Sequence, residues 1–307
     1  MTSVPALASA GTPQRRRRWR YDRSAPLFAG PSVALALTFL VLPLVLAFFY
    51  SFQKISSLSG QTAWIGLANY VTMFSDATFY RSLVNTALFT LLTVPVSLAI
   101  GLALAVLFNS VLPARKLFRT IVYLPLVISG VAVGLIGTFL FNETVGVVSK
   151  ILVVIGLPSV PWQSNGPAAF VSIVLITLWI RVGFNMIIYL AGLQSVPVEL
   201  HESAQVEGAG TWQRFRWITL PLLGPSTFFL LIMNVIYSFQ VFDTIYVMTN
   251  GGPGSATEVL GTYAYKTAFG PTRDQGYGAA IGVVIFLITL VFTILQWRFN
   301  RNRDEVA

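Results

Sequence analysis

Residues 199–223, ELHESAQVEGAGTWQRFRWITLPLL, are a polar, charged segment set between long apolar runs. Each flanking run is long enough to cross hydrocarbon, which takes about 20 apolar residues in a helix. A bare connecting loop has no need of this pattern of carboxylates, glycines and tryptophans. Pro197 suits the first turn of a helix, where its missing N–H costs nothing. Glu199 and Glu202 lie early in that helix, where carboxylates favour the N-terminal dipole. Gly208 and Gly210 then break it. Trp212, Phe215 and Ile218 recur at steps of three, which predicts a second short helix with three large residues on one face. Leu220-Pro221 ends that helix and returns the chain to the apolar layer. Segment 194–222 therefore reads as a helix–glycine–helix hairpin whose apolar edge fits a groove in another protein. An amphipathic segment lying on lipid is the competing reading.

Composition sets the surroundings. The chain has 307 residues, 55% hydrophobic and 10% charged, with mean hydropathy +0.73. A soluble domain carries about 25% charged residues, so lipid must cover part of this surface. Six apolar runs stand out, at roughly 26–52, 83–109, 117–141, 169–192, 223–249 and 278–297. They lack the regular apolar–polar alternation of a membrane β-barrel. Pro43, Pro95 and Pro125 fall inside runs, where neighbouring helices can satisfy the freed carbonyls. The stretch VGVVSKILVVIG, at 145–156, is too short to span and reads as a short helix capping the bundle. The expectation is an all-α polytopic membrane protein of six transmembrane helices. Residues 1–24 form a basic disordered tail, 25–300 the membrane domain, and 301–307 a second tail.

The basic residues orient it. With the N-terminus inside, 14 of the 20 Lys and Arg residues fall on the cytoplasmic side, 5 fall outside, and Arg181 lies within a span. This excess places both termini in the cytoplasm. It also accounts for the net charge of +9 without a nucleic-acid surface. Cysteine is absent and His201 is the one histidine, so neither a disulfide framework nor a His- or Cys-based metal cluster is available.

Polar residues inside spans are costly and mark function. Arg181 and Asn185 sit one turn apart in TLWIRVGFNMIIYL. NVIYSFQVFDTIYVMTN adds Asn234, Tyr237, Gln240 and Asp243. Amides and carboxylates suit sugar hydroxyls, and aromatic rings stack on apolar sugar faces. Arg181, Asn185, Tyr237, Gln240 and Asp243 are the candidate solute path. Hydrogen bonding between helices is the competing role for the same side chains.

Glu202-Ser203-Ala204, Glu207-Gly208-Ala209, Trp212, Phe215 and Ile218-Thr219-Leu220-Pro221 resemble the EAA loop of ABC-importer permeases. In that pattern EAA is followed by three residues, Gly, nine residues and Ile-x-Leu-Pro, and the gap from Gly208 to Ile218 fits without insertion. Ser203 stands where alanine is usual, and Glu207 where aspartate is common. WIGLANY, LPLVISGVAVG, LAGLQSVP and MTNGGPGSAT are similar to parts of carbohydrate-uptake permeases of the maltose, trehalose and glycerol-3-phosphate type. The resemblance implies a type I importer fold in a bacterial inner membrane. It implies a second homologous permease, a cytoplasmic ABC ATPase dimer that binds ATP and Mg, and an extracytoplasmic solute-binding protein. It also makes Glu202 the polar anchor in the ATPase groove and Gly208 the turn that fits it. No Gly-x-x-x-x-Gly-Lys-Ser/Thr loop occurs, so the chain is expected to carry no ATP site and no cofactor of its own. A self-contained secondary transporter is the alternative. It calls for titratable groups within the spans or an inverted repeat, and only Arg181 and Asp243 answer to that.

Overall fold

A computed structural model describes residues 25–56, 61–110 and 113–304. The expected basic tail at 1–24 lies outside these residues, as does the end of the second tail. The chain divides into two units, Met1–Leu46 and Ala47–Ala307. α1 (Ala25–Ala36) runs through a π-helical turn, Leu37–Val41, into α2 (Leu42–Tyr50), within which the first unit ends. The stretch Ala29–Tyr50 is 22 residues long, and its most apolar 18 residues have a mean hydropathy of 2.6. The widened turn closes with the Leu42 N–H donating to Leu37 O, directly before Pro43. Proline brings no N–H to the ladder, and the π turn absorbs that mismatch.

The second unit opens on a departure from the all-helical expectation. β1 (Gln53–Ser56) and β2 (Gln61–Trp64) form an antiparallel hairpin with Gln53 opposite Trp64. Phe52 stacks on Trp64 at 5.7 Å. α3 (Ala68–Met73) and α4 (Ala77–Asn109) follow. Asp76 caps α4 by accepting from the N–H groups of Thr78 and Phe79. α4 continues through Pro95 for 33 residues.

The run expected at 117–141 is broken. α5 (Arg115–Val127) and α6 (Gly130–Leu140) meet at 104°. Pro125 withholds an N–H near the end of α5, Ile128 is extended, and Ser129 caps α6 by accepting from the Ala132 N–H at 3.3 Å. α7 (Val147–Val154) is the short helix read from VGVVSKILVVIG. α8 (Gly166–Gln194) is capped by Asn165. α9 (Val198–Val206) and α10 (Thr211–Arg214) come next, then a π-helical turn, Phe215–Thr219, and α11 (Leu220–Leu222). This second hairpin arm bends by 62° into α12 (Gly224–Phe239). The run expected at 223–249 then breaks at 240–242, restarting as α13 (Asp243–Met248). α14 (Leu260–Phe269) and α15 (Gln275–Asp304) close the chain. Among the described residues, four helices are long and apolar enough to span a membrane, or up to six if each bent pair is one span.

α4 and α8 make the most extensive helix contact. One apolar cluster joins Phe89 of α4, Val133 of α6, Ile173, Ile176 and Ile180 of α8, and Ile245 and Met248 of α13. A second joins Ala105 and Phe108 of α4 to Met186, Tyr189 and Leu190 of α8 and Leu230 of α12.

Asp76 also ties three helices together. Its Oδ2 accepts from the Tyr263 hydroxyl of α14 at 2.5 Å and from the Tyr277 hydroxyl of α15 at 2.6 Å. Burial works to raise the carboxyl, but the two phenols and the Phe79 and Thr78 N–H groups outweigh it and hold it below its usual value. Burial and the bond to Asp76 push the Tyr263 phenol up. A lowered carboxylate adds stability in full above its unfolded pKa and loses it as pH falls through the folded value. Asp76→Asn keeps an acceptor for the cap but removes the charge. Its unfolding temperature is expected below wild type at neutral pH, with the gap closing only below the usual carboxylate range. Thermal unfolding across that range checks this; a gap independent of pH would show that the charge contributes nothing.

Candidate functional site

The hairpin between α8 and α12 is built by backbone geometry. α9 ends in a Schellman turn: the Ala209 N–H donates to Ala204 O at 2.8 Å and the Gly208 N–H to Gln205 O at 3.0 Å. Gly208 sits at φ +85°, a conformation that glycine adopts without strain. Gly210 precedes α10, and its N–H donates to Gln213 Oε1 at 2.7 Å. Arg214 Nη1 donates to Gln205 Oε1 at 3.1 Å, bracing one arm against the other.

The expected apolar face is unevenly covered. The Trp212 and Phe215 rings lie 5.6 Å apart, but Trp212 is exposed while Phe215 and Ile218 are half-buried, and the backbone takes a π-helical turn over 215–219. Phe215 lines a cavity of about 260 Å³ with Val106 of α4 and Leu193 at the end of α8. Ile218 lines another, of about 360 Å³, with Ala204, Gly208 and Ala209. The outward surface carries Val206, 90% exposed, and Trp212 and Trp217, each 71% exposed. Glu202, Ser203 and Glu207 are exposed too, and Glu202 has no ion-pair partner among the described residues. Leu220 is half-buried and Pro221 exposed, at the bend into α12. The signal for Val206 and Trp217 as surface residues was present in the sequence, but the steps of three from Trp212 pointed elsewhere.

Within the helices, Arg181, Asn185 and Tyr237 come together, with Asn234 as their hub. Arg181 Nε donates to Asn234 Oδ1 at 3.0 Å. Asn234 Nδ2 donates to Asn185 Oδ1 at 2.8 Å and to Leu230 O at 2.7 Å. This bonding fixes the orientation of the Asn234 amide, because a flipped amide would aim its NH₂ at the guanidinium. The Arg181 guanidinium lies 4.3 Å from the Tyr237 ring centroid and 4.9 Å from that of Phe184. Arg181, Asn185 and Asn234 are buried, and Asn185 Nδ2 has no protein partner.

Gln240 and Asp243 stand apart from this cluster. Both are exposed, at the α12–α13 break. Asp243 also lies against the start of α6: a Cβ added at Gly130 would fall 2.9 Å from its Oδ2. A carboxylate there favours the α6 N-terminal dipole. The sequence named all five candidates; it did not show that Arg181 and Asn185 share Asn234, with the Tyr237 ring against Arg181, while Gln240 and Asp243 sit at a helix break.

Comparison with known proteins matches this architecture. A family described as "Binding-protein-dependent transport system inner membrane component" matches residues 97–304. The probable ABC transporter permease YurN of Bacillus subtilis is 35% identical, over 91% of this chain and 96% of its own length. The sulfoquinovosyl glycerol transport system permease SmoG of Agrobacterium fabrum is 37% identical over 91% of each chain. In solved structures, a bacterial ABC transporter that imports the acidic polysaccharide alginate contains a chain with a TM-score of 0.79 and 29% identity, covering 91% of this chain and 96% of that one. The Schellman-closed hairpin, the broken helices and the family match agree, and the chain belongs to the inner-membrane permeases of binding-protein-dependent ABC importers.

Proposed function

We propose that this chain is the permease subunit that moves a sugar or sugar-like solute inward while a separate ATPase, docked on the 194–222 hairpin, supplies the free energy. The observation that carries the reading is the hairpin itself: a rigid turn at Gly208 presenting Glu202, Val206, Trp212 and Trp217 outward between α8 and α12. Ala204, Glu207, Ala209 and Ile218 line the space beside that turn with Ser203 on its open side, Phe215 seats the hairpin against α4 and α8, and Leu220-Pro221 leads into α12. ATP and magnesium are then held by an ATPase dimer in the cytoplasm, so both termini and the hairpin share the cytoplasmic side of a six-span bundle. A second, homologous permease completes the path. An extracytoplasmic binding protein delivers the solute at the opposite face; one solved relative is an alginate transporter in complex with an alginate pentasaccharide-bound periplasmic protein. A sugar-type solute is supported by relatives named for sulfoquinovosyl glycerol, arabinooligosaccharides and trehalose or maltose. Gln240 and Asp243 offer it polar contacts, with Tyr237, Arg181 and Asn185 behind them.

Glu202→Lys tests the docking surface. Truncating one member of a buried, hydrogen-bonded charge pair costs about 2–5 kcal/mol at an interface, and reversal is expected to be at least as costly. Co-purification of the ATPase and solute-stimulated ATP hydrolysis are both expected to be lost, with the permease still in the membrane. Unchanged capture and hydrolysis would make the hairpin a lipid-facing segment.

A further inference from the structure

Arg181 is a buried cation that meets no carboxylate; the ion pair among the described residues is Lys266 with Glu258, elsewhere in the fold. Its compensation comes chiefly from α12, with the Phe184 ring of its own helix adding a second aromatic face. Asn234 and Tyr237, one turn apart, supply an amide oxygen and a ring face. Both lie near the C-terminal end of α12, whose last helical residue is Phe239. The negative end of a helix dipole is a favourable place for a cation. These compensations exist only while α12 ends where it does.

The neighbouring residue of α8 seats the other half-helix. Ile180 joins the apolar cluster that contains Ile245 and Met248 of α13. Two consecutive residues of α8 thus serve the two sides of the break, Arg181 the end of α12 and Ile180 the body of α13. Of the connecting residues, Gln240 is exposed, while Val241 is buried in the same cluster as Ile180 and Phe242 stacks on Tyr246, so the break is seated on its α13 side and Arg181 holds its α12 side. α12 also continues directly from the hairpin through its 62° bend, so its far end is where a displacement of the hairpin would arrive.

We propose that Arg181 is a positioning residue for transport: it ties the end of α12 to α8 and thereby sets the geometry of the α12–α13 break. Its role is geometric, and it does not need to touch the solute. A cation that only glued two helices together would add stability without defining the angle at the break.

The cysteine-free sequence allows spin labels at two introduced cysteines without removing native ones. Phe229 on α12 and Tyr246 on α13 are exposed and suit them. The full-length chain, labelled at these positions in lipid nanodiscs, is compared with the same background carrying Arg181→Met, Asn234→Leu or Arg181→Lys. The unsubstituted background is expected to give one narrow distance distribution. Arg181→Met and Asn234→Leu are expected to roughly double its width or add a second component, as two arrangements become populated. Arg181→Lys keeps the cation at the helix end and is expected to retain one narrow distribution. A narrow, unshifted distribution in Arg181→Met overturns the proposal, whatever happens to thermal stability. Should Arg181→Met fail to insert, Asn234→Leu decides in the same way. The measurement needs neither ATPase nor solute, so it stands or falls separately from the docking test on Glu202.

Discussion

Gly208→Val is expected to weaken capture of the ATPase about a hundredfold while the permease still folds and inserts. The expectation rests on two independent observations. Gly208 sits at φ +85°, where left-handed backbone costs an L residue about 1–2 kcal/mol and β-branching makes it worse. To relieve that strain the Schellman turn must open, and the bonds from the Ala209 and Gly208 N–H groups to Ala204 O and Gln205 O are lost with it. A Cβ at 208, however, meets nothing within 4 Å in this chain. The membrane domain therefore feels little of the change, and the new methyls project into open space, where the proposed ATPase would dock. Strain plus a steric block is expected to weaken capture about a hundredfold, equivalent to roughly 2.7 kcal/mol. Gly208→Asn separates the two causes. Asparagine tolerates the left-handed turn, so any loss it shows reports the steric block alone. The readouts are co-purification of the ATPase and the unfolding temperature of the permease. Wild-type capture by Gly208→Val would remove the hairpin from the docking surface.

The hairpin was legible in the sequence because its signals are local. Glycine at a helix end, a carboxylate in the first turn and a proline at each border have fixed backbone consequences that need no tertiary context. Long apolar runs are legible for the same reason. The breaks within those runs were not. The proline that ends α5, Pro125, looks no different in sequence from Pro95, which lies inside an unbroken α4. What differs is the next few residues: Ile128 turns extended and Ser129 is positioned to cap a new helix. Asn234 was likewise visible as a polar residue in a span. Its role as a hub depends on Arg181 and Asn185, 53 and 49 residues earlier in the chain, and only the packing of α8 on α12 brings them together. The π-helical turn at 215–219 departs from the α-helical register, and spacing arguments built on 3.6 residues per turn have no means of anticipating it.

Gly101→Val is expected to destabilise the protein more than any surface change described above. Gly101 lies at a close approach of α4 to α8. A Cβ there would fall 2.6 Å from Asn185 Cβ, 3.2 Å from Met186 N and 3.3 Å from Asn185 C. The last two are α8 backbone, which cannot rotate away as a flexible side chain would. Valine therefore has to push the helices apart. Overpacking of this kind costs about 1–3 kcal/mol by itself. It also loosens the cluster of Ala105, Phe108, Met186, Tyr189 and Leu190. The displaced residue, Asn185, accepts a hydrogen bond from Asn234 at 2.8 Å, and Asn234 in turn holds Arg181. Leaving one of these buried polar groups without its partner adds about 1–3 kcal/mol. Gly282→Val in α15 is the matched control: it makes the same chemical change inside an apolar helix, and a Cβ at Gly282 meets nothing within 4 Å. Thermal unfolding of the two purified variants is expected to separate them clearly, with Gly282→Val near wild type and Gly101→Val far below it. Equal unfolding temperatures would mean that α4 and α8 are not held at this separation. The Asn185–Asn234–Arg181 chain would then lose the rigid wall against which it is built.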